Sequence, residues 1–245
     1  MSWAHAAVMA LRRQWLARRA RPGALRDCLV HAAADRRRRW DAVEYLVLDF
    51  ETTGVDAGSA EILSAGYLLI RAGAIHLDSA RHRLVRPQGA LTAATVVIHG
   101  ITHDRSAEGE ALAAVVDELL AALAGRVLVG HHVATELAFL SAACRAVHGT
   151  GFAGPAIDTL ELEARCWRRR QARPRRGELR LGGARARRGL PRYRAHDALV
   201  DALATACARN SSARRGSGSC STGAEAGSAP APAADARQPA AGGAR

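Results

Sequence analysis

Five side chains in three short stretches of this sequence have the types and spacing to do chemistry together. Asp49 and Glu51 close the run Tyr45-Leu46-Val47-Leu48-Asp49-Phe50-Glu51, which breaks at Thr52-Thr53-Gly54. A continuous apolar run bounded by a turn signal predicts a buried central strand. Strand side chains alternate faces, so Asp49 and Glu51 project from the same side. Two carboxylates there repel one another, and divalent cations between them turn repulsion into attraction; hard oxygen donors suit Mg²⁺ or Mn²⁺. Glu136 lies in a second stretch, His131-His132-Val133-Ala134-Thr135-Glu136-Leu137. It falls in the second turn of a helix predicted over His131 to His148, directly after a core-type strand at Arg126 to Gly130. Glu136 and His132 are four apart, so a surface pair between them is the alternative. The third stretch is His196-Asp197-Ala198-Leu199-Val200-Asp201, opening the last predicted helix. Residues five apart on a helix point about 140° from each other. His196 and Asp201 therefore converge only if His196 precedes the helix in a loop and Asp201 is one turn in. That arrangement suits metal binding plus proton transfer. Asp197 reads as a cap or first-turn acid.

These side chains need elements to hold them. After Gly54, Glu61 to Ile70 and Ala74 to Val85 read as strands joined by a turn at Arg71-Ala72-Gly73, the second half-exposed at a sheet edge. Residues 96–102 form a short loop-like element. Ser106 is the expected cap of a helix through Ala124, with Leu112, Val115, Val116, Leu119, Leu120 and Leu123 on its buried face. Ile157 and Asp158 end a further strand, and Asp158-Thr159-Leu160-Glu161 has capping-box spacing, which assigns Asp158 to capping rather than catalysis. Three strands in a meander followed by strand–helix alternation predict an α/β fold, its sheet antiparallel on one side and parallel on the other. Residues 1–42 read as a helical extension. In it, Val8, Leu11, Trp15 and Leu16 are spaced to pack a helix on the back of the domain, with a nucleic-acid arm as the alternative. Residues 43–209 form the main domain. From about Asn210 only Ser, Gly, Ala, Pro and Arg dominate, which predicts a disordered tail over 210–245.

Composition narrows the partners. The net charge is +12 with a pI near 11.0, which points to a polyanion. All 35 basic residues are Arg and Asn210 is the only Asn, a skew that a GC-rich genome imposes and that dilutes the charge argument. Between Arg165 and Arg194 thirteen Arg face one acid, Glu178; the segment either flanks a substrate channel or is a solvated face. Five widely spaced cysteines without a C-x-x-C pattern read as reduced thiols, with neither zinc site nor disulfide framework. No apolar stretch approaches a membrane span and no secretory leader is evident, so a cytoplasmic bacterial protein is expected. No Walker loop, G-x-G-x-x-G or Ser–His–Asp pattern supports another chemistry.

Taken together, Asp49-Phe50-Glu51-Thr52-Thr53-Gly54, the Phe139-Leu140 helix with Glu136 three residues before the Phe, and His196 followed by Asp201 resemble the three motifs of the DEDDh 3′–5′ exonucleases. This is the superfamily of the proofreading epsilon subunit of bacterial DNA polymerase III. The resemblance runs from about Tyr45 to Ala208. It implies a ribonuclease H-like fold, two Mg²⁺ or Mn²⁺ ions, and hydrolysis of the 3′-terminal phosphodiester of single-stranded DNA, with a polymerase subunit as a candidate partner. By position, Asp49 would bridge both ions, Glu51 and Asp201 would complete one site, Glu136 would serve the other, and His196 would activate water. Thr52, Thr53, Gly54 and His99 would contact substrate. Glu136 departs from the family's usual Asp, and its longer arm implies a shifted second ion and a possible preference for Mn²⁺. An RNA-directed exonuclease and a non-catalytic module binding nucleic acid or a polymerase are the alternatives.

Overall fold

Tyr45 to Leu48 of β1 (Tyr45–Thr52) are buried one after another, which only a strand covered on both faces allows. β2 (Ile62–Arg71) pairs with β1 antiparallel and sets Gly66 opposite Asp49. β3 (Ala74–Leu84) returns antiparallel to β2 across a turn where Ala72 and Gly73 take φ of 48° and 71°. β4 (Val127–Gly130) and β5 (Ala156–Asp158) extend the other side in parallel, giving the order β3-β2-β1-β4-β5. The mixed sheet is thus the one the strand pattern predicts. The computed structural model describes residues 3–31, 38–89 and 107–217. Ser106, His99 with the rest of 96–102, and the sequence beyond 217 lie outside them.

Strand alternation sorts the core into two layers. Leu46 and Leu48 face α3 (Leu112–Leu123) and α4 (Ala134–His148), together with α1 (Trp3–Arg19) and α2 (Ala24–Val30). Tyr45 and Val47 face α7 (Ala198–Ser217), which packs through Ala202 and Ala206. Asp49 and Glu51 continue the Tyr45–Val47 parity, so they belong to the α7 side. α5 (Thr159–Arg169) and the short α6 (Leu181–Ala186) complete the chain order.

Three boundaries and one helix face differ from expectation. α3 begins only at Leu112, because Glu110 is held extended: its N–H donates to the Leu84 carbonyl at 2.8 Å and its carbonyl accepts from Arg86 N–H at 2.9 Å. α4 starts at Ala134, since His132 sits in a left-handed turn at φ 70°. α7 runs past Asn210 to Ser217. There tertiary contacts replace apolar periodicity: the Arg209 guanidinium lies 3.7 Å over the Tyr45 ring, and Asn210 donates to the Gly73 carbonyl at 3.1 Å. On α1, Leu16 packs inward, but Val8, Leu11 and Trp15 face solvent.

Candidate active site

β1 outruns its parallel neighbour. Its pairing with β4 ends at Val47 and Val129, so Asp49 and Glu51 project past the carboxyl end of β4. That is also where the sheet changes from parallel to antiparallel neighbours, the position at which open α/β sheets leave a ligand crevice. Asp201, in the first turn of α7, enters this crevice. Asp49, Glu51 and Asp201 each offer a carboxylate oxygen within 4.8 Å of the others. Gly66 permits the approach: a Cβ there would overlap the backbone of Ala198 and Leu199. The strand residue opposite Asp49 is therefore the one on which the start of α7 rests.

Glu136, on α4, stands outside this group of three, although its charge acts on Asp49. It stands in the first turn of the helix, not the second, and is only 4 % exposed. The proposed pair with His132 does not form, since that ring meets Thr135 Oγ1 at 3.1 Å. Glu136 Oε2 has no hydrogen-bond partner among the described residues. A buried polar atom left this way is rare and calls for an explanation. Burial pushes the Glu136 carboxyl up to about 8. Burial also raises Asp49 well above the usual carboxylate range, with the charges of Glu136 and Asp201 next in weight. Glu51 is pushed up to about 7 by burial, then by Asp201 and Asp197. Asp201 is raised by burial, against the His196 N–H and the Tyr193 hydroxyl, which favour its charged form. Carboxylates this close and this dry are unfavourable as anions, and their hard oxygens match a divalent cation. The donor set therefore fits the metal that the motifs imply.

The remaining predicted residues fall out as follows. His196 precedes α7 in a left-handed conformation at φ 68°, with its N–H 2.8 Å from Asp201 Oδ2 and its side chain exposed beside the cluster. Asp197 caps α7, its Oδ1 accepting from Val200 N–H at 3.0 Å. Asp158 caps α5 by accepting from Leu160 N–H at 2.9 Å and also receives His132 N–H. The capping box stays open, because Glu161 turns to Arg165 and Arg168 instead. Thr52 and Thr53 hold the exit from β1: Thr52 Oγ1 donates to the Gly54 carbonyl, and Thr53 Oγ1 accepts Glu61 N–H. His131 is an internal strut whose ring nitrogens meet Thr159 Oγ1 and the Leu179 carbonyl at 2.9 and 3.0 Å. His99 lies outside the described residues.

Two residues of the site were missed. Gly66 carried a signal, since glycine inside a strand marks a close backbone approach. Tyr193 carried none: it is one aromatic in a run of arginines, brought to Asp201 only by the packing of its loop on Leu181, Ala204 and Ala208.

The profile of the RNase_T exonuclease family matches residues 46–208. This chain belongs to that family. It is 32% identical over 162 residues to the PolC-type DNA polymerase III of Thermotoga maritima, covering 66% of this chain and 11% of that protein. It is also 32% identical over 125 residues to a DNA polymerase III subunit epsilon-like protein of Rhodobacter capsulatus, covering 51% and 18% respectively. The chain thus spans roughly a tenth to a fifth of these relatives' length. Among solved structures, E. coli exonuclease I in a zinc-bound complex with single-stranded DNA superposes with a TM-score of 0.60 at 16% identity, over 71% of this chain and 41% of that one. A complex titled ExoI/SSB-Ct matches equally well at 15% identity. The fold is that of exonuclease I, ribonuclease H-like. Among the described residues no helix is long and apolar enough to cross a membrane.

Proposed function

We propose that this chain removes nucleotides from the 3′ end of single-stranded DNA by metal-dependent hydrolysis, in proofreading or repair. The observation that carries the reading is the convergence of Asp49, Glu51 and Asp201 at the open end of β1, with the unpartnered Glu136 Oε2 buried nearby. Asp49, Glu51 and Asp201 would hold one Mg²⁺ or Mn²⁺, and Asp49 with Glu136 a second. Divalent cations held there stabilise negative charge on the attacking and leaving oxygens of an in-line phosphoryl displacement. His196 takes the proton from the attacking water at a ring nitrogen, as the bond from phosphorus to the leaving 3′ oxygen breaks. Asp201 is steadied for its part by the His196 N–H and the Tyr193 hydroxyl. The Thr52-Thr53-Gly54 turn beside Glu51 and His99 are the proposed contacts to the terminal nucleotide.

The catalytic unit is the sheet with its helices from about residue 43 through α7, and residues 1–42 are an extension whose helices α1 and α2 pack on it. Exonuclease I, whose fold this chain shares, has been solved with single-stranded DNA and with SSB-Ct, and the similar relatives are DNA polymerase III proteins. Single-stranded DNA and a replication protein are the corresponding proposed partners. The cytoplasm is the compartment that goes with them. The deciding experiment compares 3′-labelled and 5′-labelled oligonucleotides, DNA and RNA, with Mg²⁺, Mn²⁺ or EDTA. Release of labelled mononucleotide from the 3′ end of DNA, requiring metal, is expected. Release from the 5′ end, a strict RNA preference or metal-independent turnover would each replace the reading.

A further inference from the structure

Helix α1 has two apolar faces, and the fold uses one. Met9, Leu16, Ala17 and Ala20 pack toward the core. Val8, Leu11 and Trp15, three and four residues apart, make a ridge on the outside, exposed to 61%, 65% and 51%. At about 100° per residue, Arg12 and Arg19 border one side of this ridge and Arg18 the other, all three exposed. The Arg19 guanidinium lies 4.1 Å over the Trp15 ring, so the aromatic is already dressed with positive charge. No Asp or Glu occurs anywhere in α1.

We propose that this ridge docks an acidic segment of a partner protein. The segment would set aliphatic or aromatic side chains on Val8, Leu11 and Trp15 and carboxylates against Arg12, Arg18 and Arg19. An apolar patch rimmed by charge is the usual form of a protein interaction site, and its uniformly positive rim selects an acidic partner. A second copy of this chain would bring like charge to like. The chain's own C-terminal segment cannot serve: after Leu203 it holds no Leu, Ile, Val, Met or aromatic residue, and its only acids are Glu225 and Asp235. Nucleic acid could meet the arginines, but its backbone has no use for Val8 or Leu11. α1 also packs in the layer behind Leu46 and Leu48, on the other face of the sheet from α7 and the carboxylates. The proposal does not depend on the nuclease reading.

The test uses the full chain and a labelled amphipathic probe peptide with Leu on one face and Glu along both flanks. Its counterparts are the same peptide with Gln for Glu, an oligo-dT of matched charge, and phosphatidylglycerol vesicles. Saturable binding of the Glu peptide by fluorescence anisotropy is expected. It should weaken by about tenfold or more in Leu11→Glu, the loss expected of a central contact, and in the triple Arg12, Arg18, Arg19→Gln variant. Oligo-dT should not displace it, and melting temperature and nuclease rate should be unchanged. Absence of binding, equal binding of the Gln peptide, or indifference to Leu11→Glu overturns the proposal. So does displacement by oligo-dT or preference for vesicles. A wild-type dimer that dissociates in Leu11→Glu would make a second copy the occupant and overturn it as well.

Discussion

Two buried glutamates on helices, Glu136 and Glu163, have opposite surroundings. Each is at most 4% exposed. Glu163, on α5, is clasped by Arg187 and Arg188, and Arg187 also lies 5.0 Å over the Trp167 ring. Glu136, on α4, leaves Oε2 without a partner among the described residues and titrates near 8. The chain has 35 arginines to spend, yet the groups that act most strongly on Asp49 and Glu51 after burial are carboxylates. A carboxylate neutralised from within the chain ties elements together. One left dry, with its charge acting on Asp49, has no such internal partner for Oε2 among the described residues.

The same division runs through the Arg165–Arg194 segment. Arg185 is buried, donating to the Ala204 and Pro191 carbonyls and lying 5.0 Å from the Tyr193 ring centre. It fastens the loop that carries Tyr193 toward Asp201. Arg169, Arg170, Arg173, Arg175, Arg176, Arg180, Arg192 and Arg194 are exposed and can meet a phosphate backbone.

The strongest way to break this comparison is at the shared carboxylate. Asp49→Ala should lower nuclease turnover by roughly 10²–10³-fold, the effect of removing one group that stabilises transition-state charge. It should leave the fold intact and raise the melting temperature of the metal-free protein at pH 8. Unchanged turnover would remove Asp49 from the chemistry.

Glu136→Gln and Glu136→Ala should lose activity nearly as far, because the amide keeps the size but not the charge. Glu136→Asp should stay active and shift the metal preference from Mn²⁺ toward Mg²⁺. If Glu136 takes no part in the chemistry, all three should keep wild-type rates. Arg185→Met should destabilise by about 1–3 kcal/mol, since the buried bond to the Ala204 carbonyl and the part-buried bond to the Pro191 carbonyl are lost, as read by denaturant midpoint.

A pH series tests the raised carboxylates directly. Glu51 and Glu136 titrate near 7 and 8 when folded, above the value of about 4.3 for an unfolded glutamate. Between those limits the folded protein holds more protons than the unfolded chain. Stability of the metal-free protein should therefore fall as pH rises from about 4 to about 8. Melting temperatures in EDTA should decline over that range, and Mn²⁺ should restore more at pH 8 than at pH 5.5. A flat profile would mean the carboxylates are compensated after all.

The smallest effects lie on the basic segment. Changing Arg169, Arg170, Arg173, Arg175, Arg176, Arg180, Arg192 and Arg194 to Gln should flatten the salt dependence of oligonucleotide affinity by about 0.7 per lost phosphate contact. An unchanged slope would make them a solvated face.

Local periodicity determined much of this protein in advance. Period-two alternation fixed Asp49 and Glu51 on one face, and the 3.6-residue helix repeat required His196 to precede α7 for Asp201 to reach it. The antiparallel and parallel halves of the sheet were legible for the same reason. What only the tertiary structure decided depends on contacts distant in sequence. α3 starts late because the bridge with Val85 captures Glu110. α7 continues past Asn210 because Tyr45 and Gly73 receive Arg209 and Asn210. On α1 the spacing offered two apolar faces, and the layer beneath chose Leu16 over Leu11. Likewise, local sequence marked Glu136 as a candidate but could not say which helix glutamate the chain itself would neutralise. Each is a glutamate on a helix, and only the folded chain brings two arginines to one while it buries the other with Oε2 unpartnered among the described residues and its charge acting on Asp49.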